Sequence, residues 1–161
     1  MRSRVFVQRV HPAAGTAGVT KIMLEYNITR VILPDAERSI LELLDSFIVL
    51  EGLDGAGTTT QAALLARRLR DSGHNVWETS EPTMGPVGRL IRRVLSGEVV
   101  ITPESLAMLY AADRHHHLYE SEEGIVARAR SSLVVCDRYL FSSLAYQSVQ
   151  CDYDLVYDLN R

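Results

Sequence analysis

The chain has 161 residues, 47% of them apolar and 23% charged, and a formal net charge of -3. That length holds one domain with a well-buried core but not two ordinary ones, and the slightly acidic balance argues against sequence-independent nucleic-acid binding. Two cysteines, Cys136 and Cys151, make neither a disulfide framework nor a C-x-x-C metal spacing, and no apolar run approaches the ~20 residues that span a bilayer, so the expectation is a cytoplasmic protein with no membrane or nucleic-acid partner.

Residues 1 to 22 carry Arg2, Arg4, Arg9 and Lys21 without an acid, around the turn-rich "HPAAGTAGVT". They read as a flexible tail or as translation from too early a start, with Met23 the true one; a transit-like leader is the competing reading. Asp35 to Leu44 reads as a short helix behind Pro34, with Ile40, Leu41 and Leu44 on one side. "FIVLE", residues 47 to 51, is a continuous apolar run of strand length, as in a strand buried on both faces. A glycine-rich loop follows at Gly52 to Gly57. The helix from Thr58 to about Arg70 repeats Ala62, Leu65, Ala66 and Leu69 at helical spacing and stops at Gly73.

"NVWET", residues 75 to 79, reads as a second strand, then "EPTMGP" as a loop and "VGRLIRRVL" as a short helix. Thr102 and Pro103 start a longer helix running to about Glu120. "EGIVARARS" is expected to be helical, "LVVC" at 133 to 136 to be a third buried strand, and "FSSLAYQSV" to form a helix behind it. Strands alternating with helices give an α/β fold with a mainly parallel sheet.

Three constellations carry chemistry. "GLDGAGTTTQ" has the spacing of a phosphate-binding loop, in which backbone N–H groups gather around an anion at a helix N-terminus; Thr58 stands where that pattern has lysine, and Thr59 where its hydroxyl ligates a metal. In "YAADR", Tyr110 and Arg114 share a helix face and suit a nucleobase, the alternative being a core tyrosine and a solvated arginine. In "CDRYLFSSLAYQ", Asp137 and Arg138 follow a buried strand, where ligands of open α/β sheets collect; a surface ion pair is the alternative. The run His115, His116, His117 cannot converge on one ion, since neighbouring helical side chains point about 100° apart, and is expected on a partly exposed surface. Trp77 is expected in the core.

These motifs, in this order and at this spacing, resemble those of a bacterial thymidylate kinase, over about residues 47 to 161. The resemblance implies a P-loop nucleoside monophosphate kinase fold, a three-layer parallel sheet with helices on both faces, preceded by an N-terminal extension over 1 to 46. It implies transfer of the γ-phosphate of ATP to dTMP with Mg²⁺, giving dTDP. Gly52, Leu53, Asp54, Gly55, Ala56, Gly57, Thr58 and Thr59 would hold the ATP phosphates. Asp54, Glu81, Pro82, Arg92, Tyr110, Arg114, Arg138, Ser143 and Gln147 would line the dTMP site: Asp54 at the 3'-hydroxyl, Tyr110 on the base and Arg114 at its edge, Ser143 and Gln147 completing the pocket, and Arg92 and Arg138 on the phosphate. Pro82 would shape the floor with Glu81 beside it. Thr59 and Asp137 would serve the metal, and Asp137, Arg138 and Thr59 would be the catalytic set. The family also suggests a homodimer.

The sequence departs from the family at Thr58, at "EPTM" in place of "EPGG", and in reaching Arg161 before the stretch that carries the family's last strands and its lid. Gly55 belongs to the type that takes its catalytic arginines from that lid. The competing expectation is therefore a nucleotide-binding fragment that keeps the dTMP pocket without turnover; a GTPase-like switch explains neither "YAADR" nor "DRY". An incomplete sheet would also expose "FIVLE" as an apolar edge, so "RVFV" at 4 to 7 or "TRVIL" at 29 to 33 is expected to add a strand to it, disorder of both being the competing reading.

Overall fold

A computed structural model describes residues 6 to 9 and 46 to 160. Four strands, β1 (Phe6–Arg9), β2 (Phe47–Glu51), β3 (Val76–Ser80) and β4 (Leu133–Asp137), form one sheet in the order β1-β2-β4-β3. The pairs β2/β4 and β3/β4 are parallel, whereas β1 lies antiparallel on β2, with Phe6 opposite Glu51 and Arg9 opposite Ile48. The sheet is thus parallel in its interior with one antiparallel edge, and part of the "RVFV" segment supplies that edge. The expected strand at 29 to 33 and helix at 35 to 44 lie outside the described residues.

The apolar run of β2 is divided between two cores, as alternation across a strand requires. Phe47 and Val49 join Val134, Cys136, Leu118, Ile125, Tyr139 and Leu140 on one face, while Ile48 and Leu50 join Val135, Val76, Ala62, Ala66 and Leu69 on the other. Among the described residues, helix α1 (Thr58–Asp71) alone packs on the second face. Its Ala62, Ala66 and Leu69 are buried while Leu64 is exposed, which is the stripe of an amphipathic helix. Gly73, at φ +89°, lets the chain turn back, with its N–H on Arg70 O and the His74 N–H on Leu69 O.

The opposite layer contains α2 (Pro86–Leu95), α3 (Pro103–Tyr119), α4 (Ile125–Arg128), α5 (Leu140–Gln147) and α6 (Tyr153–Asn160). Thr102 caps α3 by accepting from the Ser105 N–H, and Pro103 occupies the first turn. The segment "EGIVARARS" forms only one short helix, Ile125–Arg128, because the Ser131 and Ser132 N–H groups both turn back on Arg128 O ahead of β4. Trp77 is half-buried and packs against the first core.

Gly88 fixes the approach of α2 to the loop after β3. A Cβ at Gly88 would stand 2.0 Å from the Thr83 carbonyl oxygen and 2.7 Å from its nitrogen. Backbone atoms cannot yield as a flexible side chain can, so Gly88→Ala is expected to cost at least the ~1–3 kcal/mol of ordinary overpacking. Chemical denaturation measures this, and a midpoint equal to wild type would contradict the packing described.

Candidate nucleotide site

The carboxyl ends of β2, β3 and β4 deliver three segments to one rim of the sheet: Gly52–Gly57, Glu81–Gly85 and Arg138–Tyr139. The first has the backbone of a phosphate cradle. Gly55 (φ +78°) and Gly57 (φ +81°) adopt left-handed conformations, and Gly57 opens α1 with no side chain capping it. The first N–H groups of α1 have no intrahelical acceptor, so they and the positive end of the helix are available to an anion. Thr58, in the lysine position, is buried at 4% exposure and brings no charge.

The Thr59 hydroxyl donates to Asp137 Oδ2 at 2.5 Å, and Asp137 Oδ1 is buried without a hydrogen-bond partner. An orphaned buried carboxylate oxygen beside a hydroxyl suits a hard cation that takes oxygen ligands and keeps much of its water. Thr59 and Asp137 are therefore brought together as the sequence anticipated, 78 residues apart.

Arg138 follows Asp137 with φ +69°, the one non-glycine residue in that region among the described residues. Its guanidinium donates to Asp54 Oδ1 at 2.6 Å and lies over the Tyr146 ring, 5.4 Å from its centroid. The Tyr146 hydroxyl accepts from the Asp54 N–H at 2.9 Å, closing a triangle between the glycine-rich loop, the end of β4 and α5. Tyr146 was not among the sequence-derived site residues; its place in "AYQ", eight residues after Arg138 and two turns along α5, was the available signal.

Tyr110 stands among cations. Burial raises the pKa of its phenol, while the charges of Arg138, Arg92 and Arg114 pull it down. Arg92 is exposed and donates to the Pro82 carbonyl, across the cis bond between Glu81 and Pro82. Gln147 Oε1 is buried with no partner.

Arg114 departs from the alternative of a solvated charge: it is 5% exposed. Its Nε and Nη2 bond Glu81 Oε2 at 2.9 and 2.7 Å, and Nη2 also reaches Ser143 Oγ at 2.7 Å and the Tyr139 carbonyl at 3.2 Å. Nη1 donates to Asn160 Oδ1 on α6. Glu81 and Ser143 are thus joined to Arg114 within the protein. The histidine run is corrected in part: His115 and His116 are exposed, whereas His117 is buried, with Nδ1 3.1 Å from Glu81 Oε1 and Nε2 2.7 Å from Thr79 Oγ1. A buried His beside a buried carboxylate had no sequence signal, because helix phase alone did not say which of the three turns inward.

Two further acids went unread. Asp113, 1% exposed, accepts the Thr83 N–H at 2.7 Å and the Thr83 hydroxyl at 2.6 Å, so the threonine of "EPTM" is bonded directly to "YAADR". Glu51 accepts from three backbone N–H groups at the start of α5.

The thymidylate kinase family model matches residues 50–161. The chain belongs to the thymidylate kinase family. Among curated thymidylate kinases, a "putative thymidylate kinase" of Treponema pallidum is 43% identical over 122 residues, covering 75% of this chain and 58% of that protein. A "probable thymidylate kinase" of the archaeon Methanococcus aeolicus is 46% identical over 119 residues, covering 73% of this chain and 56% of that protein. The chain therefore spans a little over half the length of the curated thymidylate kinases it matches, which include archaeal as well as bacterial proteins. The crystal structure of thymidylate kinase from Ehrlichia chaffeensis superposes with a TM-score of 0.56 at 28% identity, covering 71% of this chain and 61% of that one. The α/β sheet with helices on both faces is the thymidylate kinase fold. Among the described residues no helix is long and apolar enough to cross a membrane.

Proposed function

We propose that this chain binds dTMP and ATP and phosphorylates dTMP to dTDP, in a cytoplasmic setting and as a homodimer. The observation that carries the reading is the junction of Arg138, Asp54 and Tyr146, which sets an acceptor-side cation against the phosphate loop, together with membership of the family. Tyr110 offers its face to the base among Arg92, Arg114 and Arg138. Ser143, Gln147, Pro82 and Glu81 form the pocket wall, and Gln147 Oε1 has its acceptor capacity free for a base N–H. Arg114 acts on this wall from behind by holding Ser143 and Glu81.

Asp54 holds Arg138 until the acceptor phosphate competes for it, and Arg92 reaches the same phosphate from α2. The loop from Gly52 through Leu53, Asp54, Gly55, Ala56 and Gly57 to Thr58 and Thr59 wraps the donor phosphates with backbone N–H groups. Thr59 and Asp137 fit Mg²⁺, which when bound neutralises charge on the donor phosphates. Nothing at position 58 supplies the charge that lysine gives, and catalysis of phosphoryl transfer is mainly positioning and charge stabilisation.

The neutral, buried Thr58 favours a second reading, a nucleotide-binding protein with little turnover. ADP formation from ATP and Mg²⁺, measured with and without dTMP, separates the two. dTMP-dependent ADP formation is expected, and Thr58→Lys is expected to raise kcat by about 10²-fold, the scale of one transition-state donor. dTMP binding without any dTMP-dependent ADP formation would establish the second reading.

A further inference from the structure

Glu51 ends β2 immediately before the phosphate loop, and its side chain is turned inside the protein at 5% exposure. Its Oε1 accepts the backbone N–H groups of Tyr139 and Phe141 at 3.0 Å and of Ser142 at 3.3 Å, and its Oε2 accepts the Ser142 hydroxyl at 2.5 Å. Tyr139, the residue at the N-cap of α5, has no side-chain capping bond of its own. A carboxylate 88 to 91 residues away in sequence therefore takes the place of the cap.

What this cap fixes is the turn that aims Arg138. The Arg138 N–H is bound to Leu50 O at 2.9 Å, and the next N–H, that of Tyr139, is bound to Glu51. Two consecutive residues of β2 thus hold the chain on both sides of the φ +69° turn, a conformation that a non-glycine residue keeps only when its surroundings impose it. The same anchor sets the axis of α5, and with it Ser143, Tyr146 and Gln147. It also fills an anion site: the positive end of α5 is already occupied by a fixed negative charge, so an incoming phosphate finds its cation at Arg138 instead.

We infer that Glu51 is a positioning residue for the acceptor nucleotide, acting through the N-terminus of α5 on Arg138 and Tyr146 without touching the substrate. Burial pushes the Glu51 carboxyl upward, against the pull of the hydrogen bonds from Ser142, Tyr139 and Phe141. The inference rests on the proposed dTMP site, so its test reads the anchor and the ligand separately.

The test compares wild type, Glu51→Gln and Ser142→Ala by amide hydrogen exchange and by calorimetric titration with dTMP and with ADP. Gln keeps the size of the side chain and one acceptor oxygen but removes the charge. In Glu51→Gln the amides of Tyr139, Phe141 and Ser142 are expected to exchange about tenfold faster and the dTMP Kd to rise about tenfold, with α1 amides and ADP affinity within about twofold of wild type. Unchanged exchange at those three amides, or parallel losses in α1 and in ADP affinity, would overturn the inference. Should Glu51→Gln not fold, Ser142→Ala decides. The Ser142 hydroxyl donates to Glu51 and also accepts a long 3.5 Å bond from Arg138 Nη1. About threefold weaker dTMP binding with ADP unaffected therefore supports the anchor only together with faster exchange at the Tyr139 and Phe141 amides, and unchanged dTMP affinity or unchanged exchange refutes it. If wild type binds no dTMP, the functional proposal fails, and the exchange rates of the three amides alone decide whether Glu51 holds the turn.

Discussion

Replacing Arg138 by alanine is expected to weaken dTMP binding by roughly 30- to 150-fold, the equivalent of about 2–3 kcal/mol of charge-assisted hydrogen bonding. The guanidinium already has an anionic partner, the exposed Asp54 carboxylate at 2.6 Å, and a surface pair of that kind is worth little in water. A dianionic phosphate therefore displaces Asp54 at small cost, whereas no other side chain described at the end of β4 brings a positive charge. Arg138→Lys keeps the charge and loses the planar fork, so its affinity is expected between the two. Arg138→Gly adds a backbone control: at φ +69° glycine relaxes the turn, so it is expected to be no less stable than Arg138→Ala while binding dTMP equally poorly. Calorimetric titration with dTMP, paired with thermal melting, checks all three; wild-type affinity in Arg138→Ala would remove Arg138 from the acceptor site.

How far the sequence reveals this site depends on the range of the interactions involved. "FIVLE", the helix from 58 to about 70, "LVVC" and the long helix with its Thr102 cap follow from local pattern, and the structure has them within a residue or two. Thr59 and Asp137 could be paired beforehand because Asp137 ends one buried strand and Thr59 lies in the first turn of the helix that follows the loop after another, so that topology alone brings them to one rim. The pairs that could not be read are those in which a side chain crosses between elements. Glu51 looks like the polar end of a strand until α5 is seen to start over it. Asp113 looks like a solvent-facing residue between Ala112 and Arg114 until Thr83 is found against it. Arg114 was read as facing a nucleobase beside Tyr110, and the sequence holds no hint that Glu81, Ser143 and Asn160, from three other segments, converge on its fork. That a strand would be added to β2 was expected from the need to cover an apolar edge, whereas its antiparallel direction and the choice between the segments at 4 to 7 and 29 to 33 were not.

Arg114→Ala is expected to be the most destabilising single change among the site residues, at about 3–5 kcal/mol, because it leaves the Glu81 carboxylate buried without its main counter-charge. Both side chains are nearly sealed from solvent, at 7% and 3% exposure, so water cannot replace the lost partner. His117 remains 3.1 Å from Glu81 Oε1 and offers one hydrogen bond in place of the two that Arg114 gave to Oε2. Against a typical domain stability of about 5–15 kcal/mol this is a large fraction, so the midpoint in urea is expected to fall sharply. The double substitution Arg114→Met with Glu81→Gln separates the cost of an orphaned charge from the worth of the pair. With the buried charges gone and volume nearly conserved, much of the lost stability is expected to return, while dTMP affinity stays low because Ser143 and the Tyr139 carbonyl have lost the group that held them. A loss below about 1 kcal/mol in Arg114→Ala, the value of an exposed pair, would show that water reaches Glu81 and that Arg114 is free to serve the ligand directly.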